Sequence, residues 1–238
     1  MLITSAAGRA QEDHAEQRIV TDNGSVPVRD RLLALGVIVG FQADHTLIRQ
    51  GDDDRSVFIL LRSVAKVTAR AENGSEALLA VRVSGDIVGE MATLDQMPRS
   101  ATVTTCGRSI ICVVKGAVFV DFMARHAVVG VAMSQLIGDR LRWANQRRLD
   151  FVGYGADVCL ARLLLALAQR HGAYTRQGLD VGVALTQAEL GGLIGAKEGT
   201  VQKAMRGLRS RGLVHHSQQR IAITDVRRLT RFAEIDPY

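Results

Sequence analysis

The stretch 85-GDIVGEMATLDQMPRSATV-103 decides how this chain reads. Short apolar runs of β character flank it on both sides. Within it an acid, Glu90, and a guanidinium, Arg99, stand either side of a short loop, and each has small neighbours: Gly89 before the acid, Ser100 and Ala101 after the cation. In isolation the pair reads as a surface salt bridge across a hairpin, which is worth little. The alternative reading is the wall of a small anion site, and the surrounding chain has to choose between them.

Outward from that stretch, residues 41–114 alternate apolar runs with turn residues. The runs are VFILL, AKVTAR, EALLAVRV, DIVGEM, SATVTT and SIICVV; the breakers are RQGDDD, AENGSE, VSGD and CGRS. Asn-Gly in AENGSE is a hairpin signal, because both residues accept positive φ. Several short strands at this spacing predict a β-roll or barrel. Upstream, residues 1–26 lack periodicity and read as a flexible arm. VPVRDRLLAL then reads as a short helix with Pro27 near its start.

Downstream of Gly116 the pattern turns helical. Residues 128–149 place Val129, Met133, Leu136, Ile137, Leu141 and Ala144 at helical spacing, with arginines on much of the remaining surface. This is a long helix with one apolar stripe, expected to pair with the same helix of a second copy. FVGYGAD, Phe151–Asp157, reads as a hinge, with Asp157 as the expected cap of the next helix, which ends at Gly172.

Val183–Val214 carries a second constellation. Thr186 and Glu189 form a capping box. Leu190, Leu193 and Ile194 make an apolar face, and Gly195 ends the first helix. A second helix, starting near Thr200-Val201 and ending at Gly212, has Val201, Met205 and Leu208 on one side. Lys197, Gln202, Lys203, Arg206 and Arg209 face outward. Between residues 195 and 220 there are six Lys+Arg against one acid, Glu198. LVHHSQQRIAIT then reads as two short strands, a wing, with His215, His216 and Arg220 able to touch a backbone. Two short helices about a tight turn, the second basic, form a helix-turn-helix suited to the major groove.

The charge distribution agrees. The chain of 238 residues has a formal net charge of +6. Residues 151–238 hold 12 Lys+Arg against 7 Asp+Glu, so the last third carries nearly all of the excess, as a polyanion-binding module would. No apolar run reaches the roughly 18 residues of a membrane span, and the start is polar without a secretory core, so a cytoplasmic protein is expected. Cys106, Cys112 and Cys159 form no C-x-x-C pair and are expected as buried thiols rather than metal ligands.

Together these motifs resemble the family of the cyclic-AMP receptor protein and the fumarate-nitrate reduction regulator, CRP/FNR, over about residues 27–230. LIRQGDDDRSVFILLRSVAKV resembles its early roll. GDIVGEMATLDQMPRSATV resembles its phosphate-binding cassette, and LTQAELGGLIGAKEGTVQKAMRGL its DNA-reading unit. The resemblance implies an α+β chain: arm 1–26, cyclic-nucleotide-binding β-roll 27–127, dimerisation helix and hinge 128–155, winged helix-turn-helix 156–238. It implies a transcription regulator rather than an enzyme, with no required cofactor and with cyclic AMP or another cyclic nucleotide as effector; the alternatives are a regulator of the same fold that binds DNA without a cyclic nucleotide or with another effector and, more remotely, an enzyme regulated by a cyclic-nucleotide domain. The implied partners are double-stranded DNA with a two-fold symmetric operator, a second copy of the chain, and RNA polymerase.

The implied ligand residues are Gly89, Glu90, Met91, Arg99, Ser100, Ala101, Arg140 and Asn145. A cyclic phosphate needs amide donors, which glycine lets approach closely. It also needs a cation, Arg99, and a hydroxyl donor, Ser100. Glu90, an anion, suits a ribose hydroxyl. Ala144-Asn145 stands where the receptor has an adenine-facing Thr-Ser pair. Arg140 matches a helix arginine near the ribose. The implied DNA residues are Thr186, Lys197, Glu198, Gly199, Thr200, Gln202, Lys203, Arg206 and Arg209. The receptor's Arg-Glu-Thr-Val becomes Glu198-Gly199-Thr200-Val201, which removes a guanine reader and a cytosine acceptor and predicts a different operator.

Overall fold

A computed structural model describes residues 28–217 and 219–235. The expected arm lies outside the described residues, as does Pro27. The chain divides into two compact units. Of the described residues, one contains those up to Gly74 together with Ala80–Arg140; the other contains Ser75–Leu79 together with those from Leu141 onward.

The first unit opens with helix α1 (Val28–Leu33) and strands β1 (Val37–Phe41), β2 (Thr46–Ile48), β3 (Val57–Arg62), β4 (Val64–Arg70), β5 (Glu76–Val83, whose residues up to Leu79 fall in the second unit) and β6 (Ile87–Val88). Helix α2 (Glu90–Asp95) follows, then β7 (Thr102–Thr105), β8 (Ser109–Val114) and helix α3 (Gly116–Arg125). Helix α4 (Ala127–Gly153) begins in this unit. The strands form two sheets, β1-β8-β3-β6 and β2-β7-β4-β5. Central strand β3 pairs antiparallel with β8, with Ile59 opposite Cys112 and Leu60 opposite Ile111.

Burial explains why VFILL shows no polar alternation. One face of β3, through Val57 and Ile59, packs on Leu32, Phe119, Phe122, Val129 and Met133 of the helices. The other face, through Phe58 and Leu60, meets Ile48, Ala65 and Val103 of the second sheet. A strand covered on both sides must be apolar at every position. Each fully buried Ile or Leu here contributes about 1.5–3 kcal/mol.

Three expectations about this unit need correction. DIVGEM is not one strand: pairing stops at Val88, because Gly89 takes φ 88° and Glu90 starts a helix. The Thr93 hydroxyl, buried, donates to the carbonyls of Gly89 and Arg55, which tethers that short helix. Cys106 is exposed, lying in the turn after β7, while Cys112 and Cys159 are buried. Burial raises the pKa of both buried thiols, and the Asp150 charge adds to the effect at Cys159. Finally, Val129 and Met133 of the α4 stripe, with Leu136 beside them, pack on the chain's own roll. The apolar residues that α4 leaves exposed are Val131, Ile137, Leu141, Leu149, Phe151 and Val152.

The second unit contains the rest of α4, then α5 (Ala156–His171), β9 (Ala173–Thr175), β10 (Gly178–Asp180), α6 (Gln187–Ile194), α7 (Glu198–Ser210), β11 (Val214–Ser217), β12 (Arg220–Ile223) and α8 (Val226–Phe232). Its strands form one sheet, β11-β12-β10-β9. Helix α5 packs against α6, α7 and α8, burying Leu160, Leu163, Leu164 and Leu167. The expected cap of α5 is displaced: Gly155 is the N-cap, and Asp157 sits in the first turn, where its carboxylate accepts from the Val158 amide. The expected hinge is mostly helix. Phe151–Gly153 belong to α4, and only Tyr154 and Gly155 separate it from α5. Among the described residues no single helix is long and apolar enough to cross a membrane.

Candidate functional site

The cassette residues of the first unit converge on the short helix α2. Gly89 is its N-cap in a left-handed conformation. A Cβ there would come within 2.7 Å of both Arg99 Nη1 and the Ser56 carbonyl oxygen, so no other residue fits without displacement. That close approach lets Arg99 Nη1 donate to the Gly89 carbonyl at 2.7 Å. The other terminal nitrogen, Nη2, donates to the Ser56 carbonyl at 2.6 Å and to Asp54 Oδ2 at 2.7 Å. Arg99 is only 4% exposed, and its Nε is buried without a hydrogen-bond partner. A buried cation with a spare donor is suited to an anion with several oxygens.

Asp54 is the intramolecular anion at this cation. Its carboxylate also accepts from the amide and hydroxyl of Ser56, which fixes the loop before β3. Partial burial pushes its pKa up, but the hydrogen bonds from Arg99 and Ser56 outweigh this and hold it below the ordinary carboxylate value. In the sequence the three-acid run Asp52-Asp53-Asp54 reads as a turn breaker. The run itself was the available signal, because like charges in sequence call for a cation nearby in space.

Glu90, 3% exposed, forms the second charged pair. Arg140 donates from one terminal nitrogen to Glu90 Oε1 and from the other to the Ile87 carbonyl. Arg140 thus ties helix α4 to the junction of β6 and α2. Glu90 Oε2 takes no part in that hydrogen bond. Of the remaining cassette residues, Met91 and Ser100 are exposed and Ala101 is half-buried. Asn145 lies further along α4, exposed, in the second unit.

Two buried hydroxyls fix the roll locally. Ser63 does not take positive φ, and its hydroxyl hydrogen-bonds the Ser109 hydroxyl at 2.8 Å. Thr93 spends its hydroxyl on the two carbonyls named above.

In the second unit the helix-turn-helix is built by capping. The Thr186 hydroxyl accepts from the Glu189 amide at 3.2 Å, and Glu189 Oε2 accepts from the Thr186 amide at 2.8 Å, so the capping box is complete. Gly195 closes α6 at φ 66°. A Cβ there would press on the Phe151 ring at 2.9 Å. Helix α7 begins at Glu198, two residues earlier than its apolar pattern suggests, with Lys197 as N-cap, and Arg211 rather than Gly212 is its C-cap.

Val201, Ala204, Met205 and Leu208 of α7 are buried. Lys197, Glu198, Gly199, Thr200, Gln202, Lys203, Arg206 and Arg209 are exposed, whereas Thr186 is half-buried and engaged in its cap. Beside α7, β11 and β12 pair antiparallel, with His216 opposite Ile221. Burial lowers the pKa of His216, and the charges of Arg209 and His215 lower it further. Among the described residues no cluster of His, Cys, Asp or Glu could hold a metal ion.

Comparison with known proteins gives the same two parts. The cyclic nucleotide-binding domain family matches residues 38–126, and the Crp-like helix-turn-helix domain family matches residues 160–232. The CRP-like cAMP-activated global transcriptional regulator of Mycobacterium tuberculosis is 29% identical over 195 residues, covering 82% of this chain and 87% of that protein. The regulator Vfr of Pseudomonas aeruginosa, also described as cAMP-activated, is 25% identical over 191 residues, covering 78% and 88%.

Among solved structures, a CRP-family transcriptional regulator from Thermus thermophilus superposes with a TM-score of 0.68 at 20% identity, over 82% of this chain and 96% of that one. The c-di-GMP responsive regulator CLP of Xanthomonas campestris gives 0.70 at 16% identity, over 83% and 98%. Both show the same fold. A roll with the cassette's glycine and buried arginine, followed by a capped helix-turn-helix with a wing, and two family domains in that order lead to one assignment: this chain belongs to the CRP/FNR family of transcription regulators.

Proposed function

We propose that the protein is a homodimeric, sequence-specific DNA-binding regulator whose first unit takes a cyclic nucleotide. The observation that carries this reading is the buried Arg99, held against the Gly89 backbone with an unpartnered Nε. A cyclic phosphate would take its charge-assisted hydrogen bonds from Arg99, with Ser100 as a hydroxyl donor and the Gly89–Met91 backbone close by. Glu90, already oriented by Arg140, would accept from the ribose hydroxyl through its remaining oxygen. Ala101 keeps the entry to β7 small. Asn145 enters this reading by resemblance alone. Cyclic AMP is the first candidate effector, since two relatives are described as cAMP-activated. Cyclic di-GMP is the second, from the Xanthomonas structure's description.

The exposed residues of α7 would enter the major groove, with Lys and Arg on phosphates and base edges, Gln202 and Thr200 on base edges, and Thr186 at the backbone. Glu198 and Gly199 change the readout from the receptor's operator. The exposed apolar residues of α4 suit a helix pair between two copies, and a two-fold dimer would place two α7 helices on a two-fold operator about one turn apart. The chain acts in the cytoplasm, in this reading, as a regulator without catalysis and with RNA polymerase as a further partner.

Calorimetric titration with cyclic AMP, cyclic GMP and cyclic di-GMP, with Arg99→Ala as control, tests the effector. Binding by at least one, lost in the variant, is expected. If none binds, or the variant binds equally well, the effector reading fails. Selection from random duplexes, with and without ligand, tests the rest, and failure to enrich a two-fold symmetric site would overturn it.

A further inference from the structure

The second unit contains a cavity of about 250 Å³ that the functions above do not use. Its walls come from the last turns of α4, from α5 and from the end of α6. Leu163, Ala166, Leu193 and Ile194 line it with apolar surface, and Trp143 and Arg147 of α4 line it as well. Cavities of this kind, apolar with a few placed polar groups, are where small molecules bind.

The charges on its wall are unequal. Arg162 is neutralised by Asp150, at 2.8 Å. Gln146 is also spent on Asp150, at 3.0 Å. Arg147 meets no carboxylate among the described residues. It donates to the carbonyls of Leu193, at 3.2 Å, and Leu79, at 3.0 Å, and its guanidinium lies 3.6 Å above the Trp143 ring. Its Nε is buried and has no hydrogen-bond partner. Burial lowers its pKa to about 10, which still leaves it charged at neutral pH. A partly buried cation that no acid offsets, on the wall of an apolar cavity, is an incomplete site.

We propose that this cavity binds a small carboxylate with an apolar body. The carboxylate completes the charge of Arg147, and the body fills the space over Leu163, Ala166, Leu193 and Ile194. Carboxylate matches the guanidinium fork, and the size limits the ligand to a fragment with a short chain or a single ring. Because the walls join the end of α4 to α6, the first helix of the helix-turn-helix, an occupant acts directly on the DNA-reading unit. This effector site is separate in chemistry from the cassette, which is built for a phosphate and a sugar.

Trp143 is the protein's single tryptophan and reports on the site. Phenylacetate and hexanoate are titrated into the full-length protein while its emission is followed, with phenylacetamide and hexanamide as neutral matches. A saturable change with a carboxylate, at millimolar affinity or tighter, and none with the amides is expected. Arg147→Gln should weaken it about tenfold or more. Ala166→Phe, which fills the cavity and removes no charge, should abolish it. Arg99→Ala, in the other unit, should leave it unchanged, which separates this site from the cassette. Circular dichroism establishes that each variant is folded. Absence of saturation by both acids, equal binding of the amides, or wild-type binding by a folded Ala166→Phe would each overturn the proposal.

Discussion

The cassette and the recognition helix use charge in opposite ways. In the cassette, Arg99 and Glu90 are buried, and each is already held by a protein partner, Asp54 and Arg140 respectively. On α7, Lys203, Arg206 and Arg209 stand in solvent while their helix is anchored by Val201, Met205 and Leu208. Function and stability are therefore coupled in the first region and separable in the second. A buried ion pair whose one member is removed leaves an uncompensated charge, whereas a solvated cation leaves nothing behind.

Four measurements break or sharpen that contrast. The largest effect is expected from Glu90→Ala, which strands Arg140. Denaturant unfolding should lose about 3–5 kcal/mol, and the double variant with Arg140→Ala should recover part of it. An unchanged midpoint would show that the pair is not structural. Arg206→Ala should cost about 1–3 kcal/mol of DNA affinity and flatten its salt dependence, with stability altered by less than about 0.5 kcal/mol. A large fall in melting temperature would show that α7 is not separable after all.

A smaller effect is expected from Asp54→Ala. Its carboxylate, 57% exposed at the side chain, already holds Arg99 and, in the proposed function, would compete with a cyclic phosphate for it. Removing it should tighten cyclic nucleotide binding several-fold by calorimetry. Weaker binding would mean that Asp54 orients the guanidinium rather than competing for it. Because its pKa is depressed, this pairing contributes above the ordinary carboxylate value and is lost as pH falls through the lower folded value.

The smallest effect concerns His216. Its lowered pKa means that the unfolded chain takes the proton first, so stability should decline slightly as pH falls below about 6.5. His216→Gln should remove that decline in melts at paired pH values. An identical pH profile would exclude it as the source.

Much of this was legible in the sequence because it rests on local rules. The Thr186–Glu189 capping box, the left-handed Gly195 and the apolar face of α7 follow from short-range backbone chemistry, and all three are present. The roll's strands were visible wherever turn residues bracket them. What was missed depends on contacts distant in sequence. The exposed apolar face of α4 could not be told from the packed one, because both carry aliphatic residues. Only packing against Phe119 and Phe122 singles out Val129 and Met133. Helix α2 was hidden inside a β-like run, since its six residues are too few for a periodic signal. Asp54, forty-five residues before Arg99, has no sequence mark beyond its acidic neighbours.

The joint between α4 and α5 has a mechanical consequence. Arg162 pairs with Asp150 near the end of α4 and lies 3.9 Å over the Tyr154 ring. It also donates to the carbonyls of Ala233 and Glu234 beyond α8. Cys159 adds a weak thiol bond back to Asp150. A single guanidinium on α5 thus rivets the end of α4 to the segment after α8, and the two-residue break is a bracket rather than a swivel. Torque arriving along α4 would turn α5 and α8 together, as a crank turns its shaft, and slack in the transmission would appear only if that rivet were drawn.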